Sequence, residues 1–208
     1  LCVGLLRFLK THCESVDAEA LLKRTGVKSL ADENLSILTS GRIQGPFCWQ
    51  LHRPVIVLPA FLLADDDATL RHVLLHEVEH LRTQHPMQHF LQGVCSTVFW
   101  FHPMVWWASQ ESSLRREYAC DEAAIDSPQE IAQYLRTLLT IIEYGASQQD
   151  ESPTPLAFGR GKSIIAHRAR RLTEIARNHR MPRPFEISGT KACCSLVCIA
   201  AFIGMIWL

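Results

Sequence analysis

The sequence predicts an α+β domain, mainly helical with a small β-sheet, flanked by transmembrane helix segments. Three observations lead there. Short β-branched and apolar runs bounded by Gly, Pro and Arg occur early, at Leu35–Thr39 and Pro54–Leu58, with Phe47–Leu51 between them. Long stretches with helical apolar spacing follow. Apolar segments lie near both ends: Leu1–Leu9, apolar apart from Arg7, and Ala192–Leu208, which carries no charge. We therefore divide the 208 residues into the end of a preceding membrane helix at 1–10, one folded domain at 11–185, and a terminal span at 192–208. A bilayer core needs roughly 17 to 25 apolar residues, so the last segment sits at the lower limit and reads as truncated. The chain thus reads as the central piece of a longer polytopic protein.

The elements follow in order. Ser15–Thr25 patterns as a short helix stopped by Gly26. The three strands come next. Asp65-Asp66-Asp67 then favours a helix start through capping and the macrodipole, and Leu70, Val73, Leu74, Val78 and Leu81 form one apolar stripe over about Asp67–Thr83. Further helices are expected at Phe90–Ala108, Glu111–Asp126 and Pro128–Tyr144. The last opens with Ser127-Pro128-Gln129-Glu130, a capping box with proline at the first helical position. Gly145–Lys162, rich in Gly, Ser, Pro and Gln, reads as a flexible loop before a basic amphipathic helix at Ser163–Arg180.

One stretch carries chemistry. Leu75-His76-Glu77-Val78-Glu79-His80 holds two histidines four residues apart, on one helix face about a turn from each other. Both imidazoles can reach one ion, and Glu77 projects alongside, where it can polarise a metal-bound water. A bare His-Glu-x-x-His also arises by chance on amphipathic helices, whose histidines then merely sit in the core or at the surface. Here, however, Arg116-Glu117-Tyr118-Ala119-Cys120-Asp121 follows, with Glu117 and Asp121 again at i, i+4. A second helix could present a ligand and its supporting carboxylate together. His76, His80 and Glu117 make three ligands, the number that catalytic zinc keeps while leaving its fourth position open.

Phe90–Ala108 looks like a membrane helix, since its nineteen residues contain only His102 as a titratable group. Spanning would carry the chain about 28 Å across the bilayer. His80 and Glu117 would then lie on opposite sides, although both must lie about 2 Å from one zinc. We therefore expect a helix buried in the domain or lying at the membrane interface, bent near His102-Pro103.

Four segments together resemble the M56 family of membrane metallopeptidases, which contains the β-lactam sensor-transducers of the BlaR/MecR type. They are Arg53-Pro54-Val55-Ile56-Val57-Leu58-Pro59, the His76–His80 motif, Trp100-Phe101-His102-Pro103-Met104-Val105-Trp106-Trp107, and Arg116-Glu117 followed by Cys120-Asp121-Glu122. The resemblance covers residues 35–145. It implies a gluzincin: one zinc ion held by His76, His80 and Glu117, Glu77 as base, and Asp121 steadying a ligand histidine. Many relatives carry an acidic residue where His85 stands. The resemblance also implies a signalling endopeptidase of the bacterial inner membrane, multi-pass, facing the cytoplasm. Its activation would lead to loss of a cytosolic transcriptional repressor in an antibiotic or envelope-stress response.

Other features bound the partners. Formal charge is zero, so nothing in bulk electrostatics points to nucleic acid. Arg160–Lys191 is strongly basic and precedes the terminal span, which places that side in the cytoplasm and suits anionic lipid. The eight cysteines show no paired metal-type spacing and read as reduced and structural. His72, His85 and His89 lack carboxylates at ligand spacing, so a second metal is not expected. Tyr118, Tyr134 and His85 are all available as donors to a transition-state oxyanion, and the sequence does not choose among them. Expected partners are a peptide or protein substrate and membrane lipid, with a homodimer as a further option that the sequence does not decide. Self-cleavage near Ala157-Phe158 is a further expectation. Two other readings stay open: a quality-control or maturation peptidase of the M48 type, and a catalytically silent membrane receptor or scaffold.

Overall fold

The computed structural model describes residues 2–27, 35–50, 53–147 and 155–178, so the terminal span at 192–208 lies outside the described residues. In chain order the elements are α1 (Cys2–His12), β1 (Glu14–Val16), α2 (Ala18–Thr25), β2 (Ser36–Ser40), β3 (Phe47–Trp49) and β4 (Val55–Pro59). After them come α3 (Asp67–Arg82), α4 (His85–Val98), α5 (Pro103–Ala123), α6 (Ile131–Ser147) and α7 (Pro155–Asn178). Short 3-10 turns at Ala60–Ala64 and Pro128–Glu130 lead into α3 and α6.

The four strands form one sheet in the order β1-β2-β4-β3, with β2 and β4 parallel and both outer pairs antiparallel. The continuous apolar run of β4 reflects its interior place: Ile56, Val57 and Leu58 are fully buried. The stripe predicted on α3 packs Leu70, Val73, Leu74, Val78 and Leu81 into a core with Ile37, Ile56, Leu58, Leu62 and the α2 residues Leu21 and Leu22. A second core joins Ala124 and Ile125 to Ile131 and Tyr134 of α6 and to Leu172 and Ile175 of α7.

Local chemistry sets the ends. Asp66 caps α3 by accepting from the Thr69 amide at 3.0 Å, the start that the aspartate run predicted. Asp17 caps α2 in the same way, and Gly26, at φ +65°, ends it. Arg71 then donates to the Thr25 and Gly26 carbonyls and to Asp126, fastening the end of α2 to the chain beyond α5. Gln84, at φ +55°, turns the chain between α3 and α4.

Several expectations need correction. The helix read over Ser15–Thr25 begins only at Ala18, because Glu14–Val16 pair with Ile37–Thr39 as an edge strand. Phe90–Ala108 is not one helix: the chain breaks at Phe99–His102, before the N1 proline Pro103, and α5 runs unbroken through residues 109 and 110. The Ser127 side chain makes no capping bond; instead Glu130 accepts from the Asp126 amide, and the segment starts as a 3-10 turn. Both ends of the stretch read as a flexible loop at 145–162 are helical, in α6 and α7, and 148–154 lies outside the described residues. Among the described residues no helix is long and apolar enough to cross a membrane, and α1 has eleven residues.

Candidate active site

Helices α3 and α5 pack side by side and bring the three predicted ligands together. His76 and His80 lie one turn apart with their Nε2 atoms 3.2 Å from each other. The two Glu117 carboxylate oxygens lie 3.6 Å from His76 Nε2 and 3.7 Å from His80 Nε2. Zinc held tetrahedrally at about 2.0–2.2 Å requires ligand atoms about 3.3–3.6 Å apart, and these separations lie close to that range, the two to Glu117 through different carboxylate oxygens. Among the described residues, His80, His85 and Cys120 form a second cluster of metal-ligating types. There, His80 Nδ1 and His85 Nδ1 are only 2.8 Å apart, the distance of a direct hydrogen bond, and Cys120 Sγ lies 3.4 Å from the same His85 atom. At these separations the cluster holds a ligand ring in place by direct hydrogen bonding.

Each ligand imidazole is anchored through its outer nitrogen, which fixes the inner one toward the shared point. His76 Nδ1 lies 3.3 Å from Asp121 Oδ1 and 3.0 Å from the Tyr134 hydroxyl, which donates to the same carboxylate oxygen at 2.7 Å. Asp121 thus stands where a carboxylate steadying a ligand histidine is expected. On the other ring, His85 is the anchor.

Arg168, from α7, was not foreseen as a site residue. Its guanidinium forks onto Asp121, with Nε donating to Oδ2 at 2.8 Å and Nη2 to Oδ1 at 2.5 Å, and it reaches Glu117 Oε2 through Nη1 at 3.1 Å. A signal existed in the sequence. Ile165, Arg168, Leu172 and Ile175 fall at helical spacing on one face, so an arginine interrupts an apolar stripe and needs buried carboxylates.

Glu77 is buried, lines the cleft and accepts from the Cys48 thiol of β3. Burial pushes its carboxyl above the usual range, which moves a base toward neutral operating pH. The cleft measures about 500 Å³, and its walls include Phe47 and Cys48 of β3, His85, Arg116, Ile141 and Arg168. Of the three oxyanion candidates, His85 and Tyr134 line this cleft. The Tyr134 hydroxyl is committed to Asp121 and the outer nitrogen of His76, away from the ligand-facing side. Tyr118 is not on the wall; its ring lies under Arg171 at 5.1 Å. Arg168 is the cationic donor nearest the three ligands that the sequence reading left out.

Electrostatics divide the protons. Burial penalises charge on His76, but hydrogen bonds to Asp121 and Glu117 outweigh it and raise the imidazole to about 9. Burial and the neighbouring His76 lower His80 to about 3. Burial alone would raise Asp121 and Glu117, yet hydrogen bonds to His76, joined by Arg168, hold both carboxyls at about 2. In the metal-free protein the carboxylate contribution to stability is therefore full above their ordinary values near 4 and lost as pH falls toward 2. The His76 contribution is full below its ordinary 6.5 and lost as pH rises through about 9. A ligand imidazole must be neutral, so metal binding near pH 7.5 is expected to release about one proton. Calorimetric titration in buffers of differing ionisation enthalpy measures it, and the release should fade above pH 9.

Two histidines and a glutamate at ligand separations, with a buried carboxyl following the first histidine, are the kind of donor set that metallopeptidases use. A family model described as BlaR1 peptidase M56 matches residues 6–172, and the chain belongs to that family. The regulatory protein BlaR1 of Bacillus licheniformis is 30% identical over 83 residues, a match covering 40% of this chain and 14% of that protein.

Proposed function

We propose that this chain is the catalytic portion of a zinc metalloendopeptidase acting in signal transduction at the bacterial inner membrane, with its cleft toward the cytoplasm. The observation that carries the reading is the triangle of His76 Nε2, His80 Nε2 and the Glu117 carboxylate, at 3.2 to 3.7 Å. These three residues would hold zinc, which when bound supplies Lewis acidity toward a scissile carbonyl and toward water.

The remaining groups follow from their positions. Glu77 takes a proton from the attacking water and returns it to the leaving amine, so no net proton is consumed. Asp121 and Tyr134 hold His76 in the tautomer that turns Nε2 inward, and His85 does the same for His80. Among the described residues strand β3 pairs on one side only, with β4, and its other edge could hold an extended peptide by strand addition. Membership of the family, and a relative named as a regulatory protein, support a signalling role in which activation leads to loss of a transcriptional repressor. A silent scaffold would have no use for a buried base and a complete ligand triangle. Self-cleavage at Ala157-Phe158 now requires the first turns of α7 to unwind, since both residues lie in that helix.

The test is cleavage of an unstructured peptide by purified protein. A chelator is expected to remove one zinc per chain together with activity, and zinc returns both. Stoichiometric zinc without cleavage of any peptide would overturn the enzymatic reading.

A further inference from the structure

Among the described residues, the large exposed apolar side chains gather in one place. Eleven of twelve lie between Met87 and Trp107, on the hairpin made by α4, the turn at Phe99–His102 and the start of α5. At its tip Trp100 is 68% exposed, Phe101 66% and Trp107 62%. From Pro86 to Gln110 there is no Asp, Glu, Lys or Arg. Contiguous apolar surface of this kind marks an interaction site.

Several polar groups of the tip bond within it. The Phe99 amide donates to Cys95, His102 to Phe99 and Val105 to His102, while the Trp106 indole N–H donates to the Trp100 carbonyl at 2.7 Å. Thr97 bonds back to Gly93, and Gln92 ties the arms together through the Ser109 carbonyl at 2.8 Å. Each such internal bond lowers the cost of placing the turn in lipid, which offers no partners of its own.

Length and charge select the occupant. Helix α4 has fourteen residues, about 21 Å, against a hydrocarbon core of about 30 Å, so the hairpin reaches one leaflet and cannot cross. Both arms also return to the same cleft, which His85 and Glu117 line together. Tryptophan prefers the headgroup boundary, and the uncharged stretch is bounded at its base by charged residues that pair with one another, Arg82 with Glu79 and Arg115 with Glu111. The same chain carries the uncharged Ala192–Leu208 just beyond its basic run, which brings a bilayer within reach.

We propose that the α4–α5 hairpin inserts its aromatic tip into one leaflet of a phospholipid bilayer, fixing the cleft at its base above the membrane surface. This does not depend on the peptidase reading.

The probe is the 208-residue chain with Trp49 and Trp207 replaced by Phe, which leaves only the three hairpin indoles. It is mixed with phosphatidylcholine–phosphatidylglycerol vesicles whose acyl chains are brominated either near the headgroup or near the midplane. Indole emission is expected to shift to the blue and to be quenched more by the shallow label than by the deep one. Adding Trp100→Asp and Phe101→Asp, both at exposed positions, should abolish the shift and quenching of the remaining indoles without changing the thermal transition. Hairpin indoles left unquenched in membrane-bound protein would overturn the proposal. So would stronger quenching by the deep label, or a concentration-dependent blue shift without lipid, which would assign the face to a second copy.

Discussion

Replacing Glu77 with Gln is expected to reduce peptide cleavage by about 10³-fold while leaving one zinc per chain, since positioned acid–base groups typically contribute about 10²–10⁴. The substitution keeps volume and keeps a carbonyl oxygen to accept from the Cys48 thiol, so the packing between α3 and β3 is retained. Only the ability to take a proton is lost. Neither His76 nor His80 uses Glu77 as its anchor, because their outer nitrogens bond to Asp121 and Tyr134 and to His85. Metal content and activity should therefore separate in this variant. A His80→Ala protein should lose both together. Metal analysis alongside a peptide assay distinguishes the two, and cleavage persisting in the Glu77 variant would refute the assignment of the base.

Replacing Arg168 with Ala is expected to destabilise the protein by about 3 kcal/mol, because removing one member of a buried ion pair leaves its partners under-compensated. Here two carboxylates, Asp121 at 1% exposure and the half-buried Glu117, lose their guanidinium partner and keep His76 and, for Asp121, the Tyr134 hydroxyl. Arg168→Lys should recover part of the loss, since an ammonium cannot reproduce the fork on Asp121. The control is Arg170→Ala: this guanidinium pairs with Glu174 at the exposed surface of the same helix, and the change should fall within about 0.5 kcal/mol. Urea unfolding of the three variants measures the contrast, and near-equal values for Arg168→Ala and Arg170→Ala would show that the Asp121 pair contributes nothing.

How far the sequence revealed this molecule depends on how local each feature is. The zinc-type triangle was legible because two i, i+4 pairs place His76 with His80 and Glu117 with Asp121 before any tertiary contact is known. The stripe of α3 and its Asp66 cap were legible for the same reason, and His102-Pro103 marked the region where the apolar stretch breaks. Strand β1 was hidden: Glu14 and Ser15 carry no strand preference, and only pairing with β2 makes them extended. Arg168 lies 47 residues beyond Asp121, and its role exists only once α7 packs against α5 and α6. The basic character of that helix drew attention to its solvated arginines and away from the one on its apolar face. The Tyr134 hydroxyl could not be assigned from sequence, because its choice between cleft and carboxylate is a matter of a few ångströms.

Gln84 has a consequence for which sequences this architecture can accept. Its left-handed backbone costs about 1–2 kcal/mol for any residue bearing a Cβ, and branching at that carbon aggravates the clash. Glycine would sit there at ease and asparagine at reduced cost, while valine, isoleucine or threonine would press the corner toward another conformation. His85 is the next residue, so a corner forced open would first withdraw the support behind His80. Tolerance at an apparently ordinary glutamine is thereby tied to the alignment of an imidazole a turn away.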